Sequence, residues 1–210
     1  MSSLLTLQSL PLFPLEAVLF PGGILPLKIF EVRYLDMIGK CHKAGAPFGI
    51  VSLTQGSEVR QPGAAEAFST VGTLATIVDF DAPRPGLMMV RAAGSQRFRI
   101  TSRDQLKHGL WIADVERLPD DTKVSIPQDL QFTATALRQL IHSLELKSGG
   151  KENLPIQEPW QLDDCGWVAN RWCELLPLTV AIKQRLMELD NPLVRLELVS
   201  DVLAKTGIAN

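Results

Sequence analysis

The sequence predicts an α+β protein in which a strand-rich half is followed by a helical half. Up to about residue 119, short apolar runs alternate with Gly and Pro residues, which is typical of strands and turns. From about residue 120, apolar residues recur at the spacing of amphipathic helices. The 210 residues are 46% hydrophobic and 21% charged, which is enough apolar material for a core. We therefore predict a β-rich subdomain over residues 1–119 and a helical bundle over residues 120–210.

The strand-rich half contains six apolar runs that we interpret as β-strands, at residues 24–30, 48–53, 73–80, 87–93, 96–101 and 110–118. In the fifth run, Phe98 and Ile100 alternate with two arginines, so the apolar pair should face inward and the arginines outward. The local signals leave the strand order open. They are compatible with a small, partly open barrel covered by a helical bundle.

Two further elements are predicted in this half. Turn-forming residues at 81–86 indicate a hairpin loop between two strands. A helix is expected at about 31–40, ending near Gly39, because Tyr34 and Ile38 have the spacing that places both on one helix face. These two side chains should pack the helix onto the sheet, with Phe30 nearby.

The helical half shows four amphipathic patterns. Their apolar positions are Leu137, Leu140, Ile141 and Leu144, then Val168, Trp172, Leu175 and Leu176, then Ile182, Leu186 and Leu189, and finally Leu196, Val199 and Leu203. Gly149 and Gly150 should end the first helix, and residues 149–162 should form a loop. The predicted N-caps of the other three are Asp163 or Asp164, Thr179, and Asn191 followed by Pro192, with Gly207 beyond the last helix.

Cysteine content and hydropathy predict a cytoplasmic protein. The three cysteines, Cys41, Cys165 and Cys173, are an odd and sparse set that suits free thiols in a reducing compartment. No apolar run approaches the roughly 20 residues that cross a bilayer, so we expect no membrane association. Prolines interrupt the apolar N-terminus, which is not typical of a signal peptide.

An ordered set of apolar motifs opens the chain: LPLFPL at 10–15, VLFPGG at 18–23, LPLKIFEVRYLDMI at 25–38, and Cys41. This order and spacing closely resemble the opening of the amino-terminal, substrate-binding domain of Lon proteases. FGIV at 48–51, VGTLATI at 71–77, QRFRI at 96–100 and helical residues 163–203 resemble the same family more loosely. The resemblance implies a mixed β pseudo-barrel related to the PUA domains, followed by a carboxy-terminal helical bundle.

The sequence lacks the other parts of a Lon protease. It contains no GxxxxGK[ST] phosphate-binding loop, and it ends at Asn210, where the ATPase and the Ser-Lys protease would follow. We therefore expect a free-standing recognition domain that is not an enzyme and needs no cofactor, ATP or metal. The resemblance implies that it binds unfolded or hydrophobic segments of client proteins. The sequence does not name a partner protease or other machinery.

Catalytic and metal-binding candidates are few. Cys41 and His42 are adjacent, but neighbours on a helix point about 100° apart, so a catalytic dyad is not expected. Asp79 and Asp81 share a strand face and could bind metal, although aspartates beside a turn usually serve the turn. Cys165 and Cys173 lie eight residues apart without a CxxC pattern. A hydrolase is the least favoured alternative.

Apolar residues near predicted turns are the favoured binding candidates. Phe20 and Pro21 lead into a Gly-Gly turn, and Leu87 and Met88 follow a Pro-Gly turn. Flexible apolar side chains near loops suit loose recognition of unfolded segments, so these four residues form the predicted peptide-binding set. The competing interpretation places Phe20 and Met88 in the core.

A cluster of basic residues supports the alternative function, RNA binding. Arg91, Arg97, Arg99, Arg103 and Lys107 fall within a short stretch that contains one acid, Asp104. Kinship to the PUA domains favours this alternative. A net charge of −2 and the lack of an aromatic platform oppose it.

Overall fold

A computed structural model describes residues 6–58, 65–148, 156 and 158–207 of the chain. The chain divides into two compact units, Met1–Asp120 and Asp121–Asn210. The first holds β1 (Thr6–Leu15), β2 (Ile24–Ile29), α1 (Val32–Ala44), β3 (Phe48–Gln55), β4 (Ala67–Phe68), β5 (Val71–Arg84), β6 (Leu87–Gln105) and β7 (Trp111–Arg117). The second holds a 3₁₀ turn (Gln128–Leu130), α2 (Gln131–Ser148), α3 (Cys165–Leu175), α4 (Val180–Glu188) and α5 (Pro192–Thr206).

The strands of the first unit close into a ring. They follow the order β1-β7-β6-β5-β3, and β1 also pairs with β3, in parallel, so the sheet returns to its starting strand. The other ladders of the ring are antiparallel. Strands β2 and β4 lie outside this ring, paired with β6 and β3 respectively. The structure thus confirms the α+β class with a mixed β barrel and a carboxy-terminal helical unit.

Strands β1 and β4 were not predicted from the sequence, and β6 was predicted as two separate strands. Pro11 and Pro14 weaken the sequence signal for β1, because proline has no N–H to donate to a ladder. A strand can still contain a proline where the missing N–H would point away from the neighbouring strand. The runs at 87–93 and 96–101 belong to one strand of 19 residues. The predicted loop at 81–86 is shorter than expected, because β5 continues to Arg84 and the turn occupies only Pro85 and Gly86.

One of the two apolar clusters of the first unit packs around the ring of Phe98. Phe98 is fully buried, and a Cβ added to Gly49 or Gly72 would come within 2.8 Å or 2.7 Å of its Cζ atom. Two neighbouring strands therefore leave out a side chain where the ring needs the volume. Leu12 and Val115, both fully buried, belong to the same apolar cluster as Phe98.

Helix α1 covers a second apolar cluster of the first unit. Tyr34 and Ile38 are buried, which confirms the predicted packing of this helix. Phe30, expected beside them, is instead 53% exposed. The helix also continues past Gly39 and ends at Gly45, whose φ of 59° forms a left-handed cap.

The helical unit follows its predicted caps. The side chains of Asp164, Thr179 and Asn191 accept hydrogen bonds from backbone N–H groups at the starts of α3, α4 and α5. Gly207 caps α5 with a φ of 68°. The predicted stop at Gly149 and Gly150 lies outside the described residues.

The core of the helical unit combines apolar side chains with the buried cations Arg171 and Arg195. Trp172, Leu196 and Leu203 are buried as predicted, whereas Ile182 is 45% exposed. Arg195 is 1% exposed and donates to the Asp121 carboxylate, to Asn170 Oδ1 at 3.0 Å and to the carbonyls of Leu186 and Leu189. No helix within the described ranges is long and apolar enough to span a membrane.

Candidate functional site

A groove of about 330 Å³ runs along β2. This volume lies at the lower end of the roughly 300–1,000 Å³ range of ligand pockets. One wall is formed by the continuous run of residues from Leu25 to Glu31. The rest of the lining comes from β1 and the residues after it, from α1 and from one acid, namely Phe13, Leu15, Ala17, Tyr34 and Glu58.

Strand β2 has one edge that forms no ladder within the described ranges. Its other edge pairs with residues 88–93 of β6 without a register shift. Gly94 N donates to Gly23 O at 2.9 Å, so the alternation of an antiparallel ladder directs the backbone groups of Ile24, Pro26 and Lys28 away from β6. Pro26 fits this phase, because a proline has no N–H to offer a ladder partner. The outer edge therefore presents the N–H groups of Ile24 and Lys28, together with three carbonyls.

The floor of the groove is aromatic. Phe13 and Tyr34 are buried and stack with ring centroids 4.1 Å apart. Burial raises the pKa of Tyr34, the neighbouring Arg33 partly opposes this rise, and the charges of Glu66, Glu31 and Glu58 add to it. Tyr34 is therefore a neutral phenol at physiological pH, in surroundings where carboxylates outnumber cations.

Arg33 fixes the start of α1 at one end of the groove. Its buried guanidinium donates to Glu31 Oε2 at 2.9 Å, to Gly109 O at 2.9 Å and to Glu66 Oε1 at 3.1 Å. Glu66 also accepts from Trp111 Nε1 at 2.8 Å. The Arg33 guanidinium thus joins three separate chain segments. The Glu-Val-Arg-Tyr motif therefore has a structural role in this fold.

The Phe-Pro-Gly-Gly segment before β2 is also architectural. Gly22 N donates to Gly94 O at 2.9 Å, and a Cβ added to Gly94 would lie 2.5 Å from Phe20 O. Only a glycine at residue 94 lets the two backbones cross this closely. Phe20 is fully buried and Pro21 is half-buried. The expectation that Phe20 belongs to an exposed peptide-binding surface is therefore wrong.

The other two predicted peptide-binding residues lie elsewhere in the first unit. Leu87 and Met88 are half-buried and border an open hollow at the turn between β5 and β6, together with Leu35 of α1. This hollow is separate from the groove along β2 in its lining residues. The structure therefore does not bring the four predicted residues into one site.

The predicted basic face does not form as a continuous surface. Arg97 is 4% exposed and donates to Pro119 O at 3.4 Å, so the prediction that it shares an exposed face with Arg99 is wrong. Arg91 lies directly opposite Asp79 in the β5–β6 ladder. Arg103 lies over the rings of Phe68 and Trp111, at 4.8 Å and 5.6 Å from their centroids. Arg99 and Lys107 are exposed.

The cysteine and histidine candidates have separate surroundings. Cys41 is buried with its Sγ 4.0 Å from Pro47 O, whereas the ring of His42 stacks on Phe80 with centroids 4.2 Å apart. Burial raises the pKa of the Cys41 thiol. It also raises the pKa of Cys165 to about 11 and that of Cys173 to about 12.

The paired carboxylates Asp79 and Asp81 are exposed, facing Arg91 and Met89 across the ladder. Among the residues whose placement is described, no three His, Cys, Asp or Glu side chains are grouped to hold a metal ion. These side chains therefore add no second candidate to the groove along β2.

Sequence reasoning missed the groove as a site. Its lining residues Leu25, Leu27 and Ile29 indicate simply a strand, and two of them are indeed core residues. The signal that could have found it was Pro26 inside an apolar run, because a proline within a strand indicates an edge.

Comparisons with known proteins agree on one family. A family model described as the ATP-dependent protease La (LON) substrate-binding domain matches residues 9–205. The Lon protease of Paraburkholderia phytofirmans is 28% identical over 201 residues, which are 94% of this chain and 24% of that protein. Lon protease 2 of Myxococcus xanthus is 33% identical over 94 residues, which are 44% of this chain and 11% of that protein. The chain thus spans at most about a quarter of these curated relatives.

Solved structures support the same assignment. The crystal structure of a Lon N-terminal domain protein from Xanthomonas campestris has a TM-score of 0.70 and 30% identity, covering 93% of this chain and 98% of that one. The N-terminal domain of the Mycobacterium avium complex Lon protease has a TM-score of 0.57 and 17% identity, covering 92% and 97% of the two chains, and shows the shared fold alone. These matches concern the amino-terminal domain and not the catalytic modules. Because the family model spans nearly the whole sequence, this chain belongs to the family of LON substrate-binding domains.

Proposed function

We propose that this protein is a non-enzymatic recognition module that binds extended, apolar segments of unfolded client proteins along β2. The observation that carries the proposal is the groove of about 330 Å³ beside an edge of β2 that forms no ladder with any described strand. Binding requires neither ATP nor a metal, and we place it in the cytoplasm. The description of the family as a substrate-binding domain supports a protein ligand.

The geometry suits strand addition. An extended peptide laid along β2 would accept hydrogen bonds from the N–H groups of Ile24 and Lys28 and donate to the outward carbonyls of Ile24, Pro26 and Lys28. Main-chain bonding of this kind depends little on sequence, as recognition of many unfolded clients requires. Its alternate side chains would contact Phe13, Leu15 and Leu25 in the groove. Burial of one such side chain contributes about 1.5–3 kcal/mol.

Substitution of Lys28 tests this mode of binding. Lys28→Pro removes an outward N–H, as Pro26 already does naturally, while Lys28→Ala removes the side chain alone. The probe is a fluorescein-labelled peptide of ten residues that alternates Leu and Thr, and binding is measured by fluorescence anisotropy. We expect Lys28→Ala to bind like the wild type. Lys28→Pro should bind about fivefold more weakly, which corresponds to one hydrogen bond of about 1 kcal/mol.

Circular dichroism and thermal melting establish that both variants fold. Equal binding by folded Lys28→Pro and Lys28→Ala would show that the edge of β2 is not used. The proposed function itself would be refuted if the wild type bound neither the peptide nor a permanently unfolded, reduced and alkylated protein.

The arrangement of the arginines gives no comparable support for RNA binding. Arg97 is buried, and Arg91 faces a carboxylate. Nucleic-acid binding needs cations that can reach successive phosphates. A client protein is therefore the partner that the described residues favour.

A further inference from the structure

Apart from the neutral Tyr34, the titratable side chains that line the groove comprise two acids and one base. They are Lys28, Glu31 and Glu58. Lys28 shares the exposed face of β2 with Pro26, because side chains alternate along a strand. The charges of both carboxylates contribute to the raised pKa of Tyr34 in the groove floor. An incoming segment therefore meets apolar surface along β2 and two carboxylates in the lining of the same groove.

Glu58 is the acid that a ligand can reach. Glu31 is paired with Arg33 at 2.9 Å and has a side chain that is only 18% exposed. Glu58 is exposed, and its Oε1 accepts one hydrogen bond, from Glu16 N at 2.7 Å. Its charge also contributes to the raised pKa of Tyr34, which lies in the groove floor. The Glu58 carboxylate therefore lies close enough to interact with a segment bound against the groove floor.

We infer that the groove selects extended segments in which a lysine or arginine accompanies the apolar residues, with the cation placed against Glu58. This inference rests on the proposed function and specifies its substrate class. The apolar floor binds the aliphatic or aromatic side chains, and Glu58 adds selectivity by charge. A segment that carries an acid at the same position is disfavoured by like-charge repulsion.

The test is a double-mutant cycle between the protein and a peptide series. The peptides are the labelled Leu-Thr ten-mers with a single Lys, Gln or Glu placed at each successive position, so that the affinities themselves locate the position that faces Glu58. At one position, Lys should bind about fivefold more tightly than Gln, in line with a partly exposed ion pair, and Glu should bind most weakly. The Lys preference should decline as the salt concentration rises.

Glu58→Gln should abolish this preference while it leaves the affinity for the Gln peptide unchanged, because glutamine keeps an oxygen for Glu16 N. Glu16→Gln is the matched control: it removes an exposed charge nearby but outside the groove lining, and the preference should persist. Binding of all peptides with no Lys preference, or a preference that survives Glu58→Gln, would overturn the inference while the proposed function stands. No binding of any peptide or of the reduced and alkylated unfolded protein would refute both.

Discussion

Alanine substitution at three glycines tests the barrel that holds β2. A Cβ at Gly72 would lie 2.4 Å from Ile50 O and 2.7 Å from the Phe98 ring, whereas a Cβ at Gly39 would meet only Met88 Cε, at 3.8 Å. Ile50 O belongs to the β3–β5 ladder, so it cannot move without disturbing strand pairing. A Cβ at Gly49 meets side-chain atoms of Leu12, Phe98 and Leu10 at 2.7–3.1 Å, which can partly adjust.

The expected free energies of unfolding follow from these contacts. Overpacking costs about 1–3 kcal/mol, and replacing glycine returns at most about 1 kcal/mol through the unfolded chain. Gly72→Ala, which meets a backbone atom, should therefore lose about 2 kcal/mol. Gly49→Ala should lose about 1 kcal/mol. Gly39→Ala, inside α1, should gain about 0.5–1 kcal/mol.

Urea unfolding followed by circular dichroism measures the three differences, with the slope m compared between variants. Phe98→Leu should reduce the additional cost of both Gly49→Ala and Gly72→Ala, since the ring is a contact of each, but the reduction should be smaller for Gly72→Ala, where the contact with Ile50 O remains. If Gly72→Ala were as stable as the wild type, the reasoning that the contacts around Phe98 leave no room for an added methyl group would be refuted.

Two further predictions concern buried polar groups. At pH 8, iodoacetamide should alkylate Cys165 about 100-fold and Cys173 about 1,000-fold more slowly in the folded protein than an ordinary thiol of pKa about 9. The reason is that the raised pKa values of about 11 and about 12 lower the fraction of reactive thiolate. Mass spectrometry measures the rates, and equal rates before and after unfolding would contradict the prediction. Arg195→Met should cost about 3–5 kcal/mol, since it removes a buried cation that donates to Asp121 and to the carbonyls of Leu186 and Leu189. Arg185→Met on the exposed side of α4 should stay within about 0.5 kcal/mol in the same urea titrations.

Sequence patterns succeeded where the cause is local. The N-caps at Asp164, Thr179 and Asn191 depend on contacts within three residues, so the residue type alone predicts them. The motif at 10–38 likewise indicated the family, although it did not reveal that LPLFPL forms a strand of the ring. Its prolines lower the local signal for a strand, whereas the pairing of β1 with β3 and β7 is set by residues far along the chain.

The failures trace to features that a single strand cannot encode. Arg97 and Phe98 are adjacent yet both buried, so both faces of β6 are covered at this point. Arg97, Phe98 and Arg99 pair in consecutive register with residues 71–73 of β5, so the two arginines do alternate with Phe98 as predicted. The prediction of an exposed basic face is wrong because Arg97 is covered on its own face, where its guanidinium donates to Pro119 O, 22 residues along the chain.

The position of β2 outside the ring suits the recognition role that we propose for its edge. Strand β6 is long enough to pair with β2 through residues 88–93 and with β7 through residues 98–105, on the same side. The ring therefore closes through β7 and leaves β2 beside it, so a ligand strand could add to β2 without opening the barrel. Every strand of the ring has both edges occupied for at least part of its length. An edge outside a closed ring is thus the place where this fold can accept an extended chain at the smallest cost in its own stability.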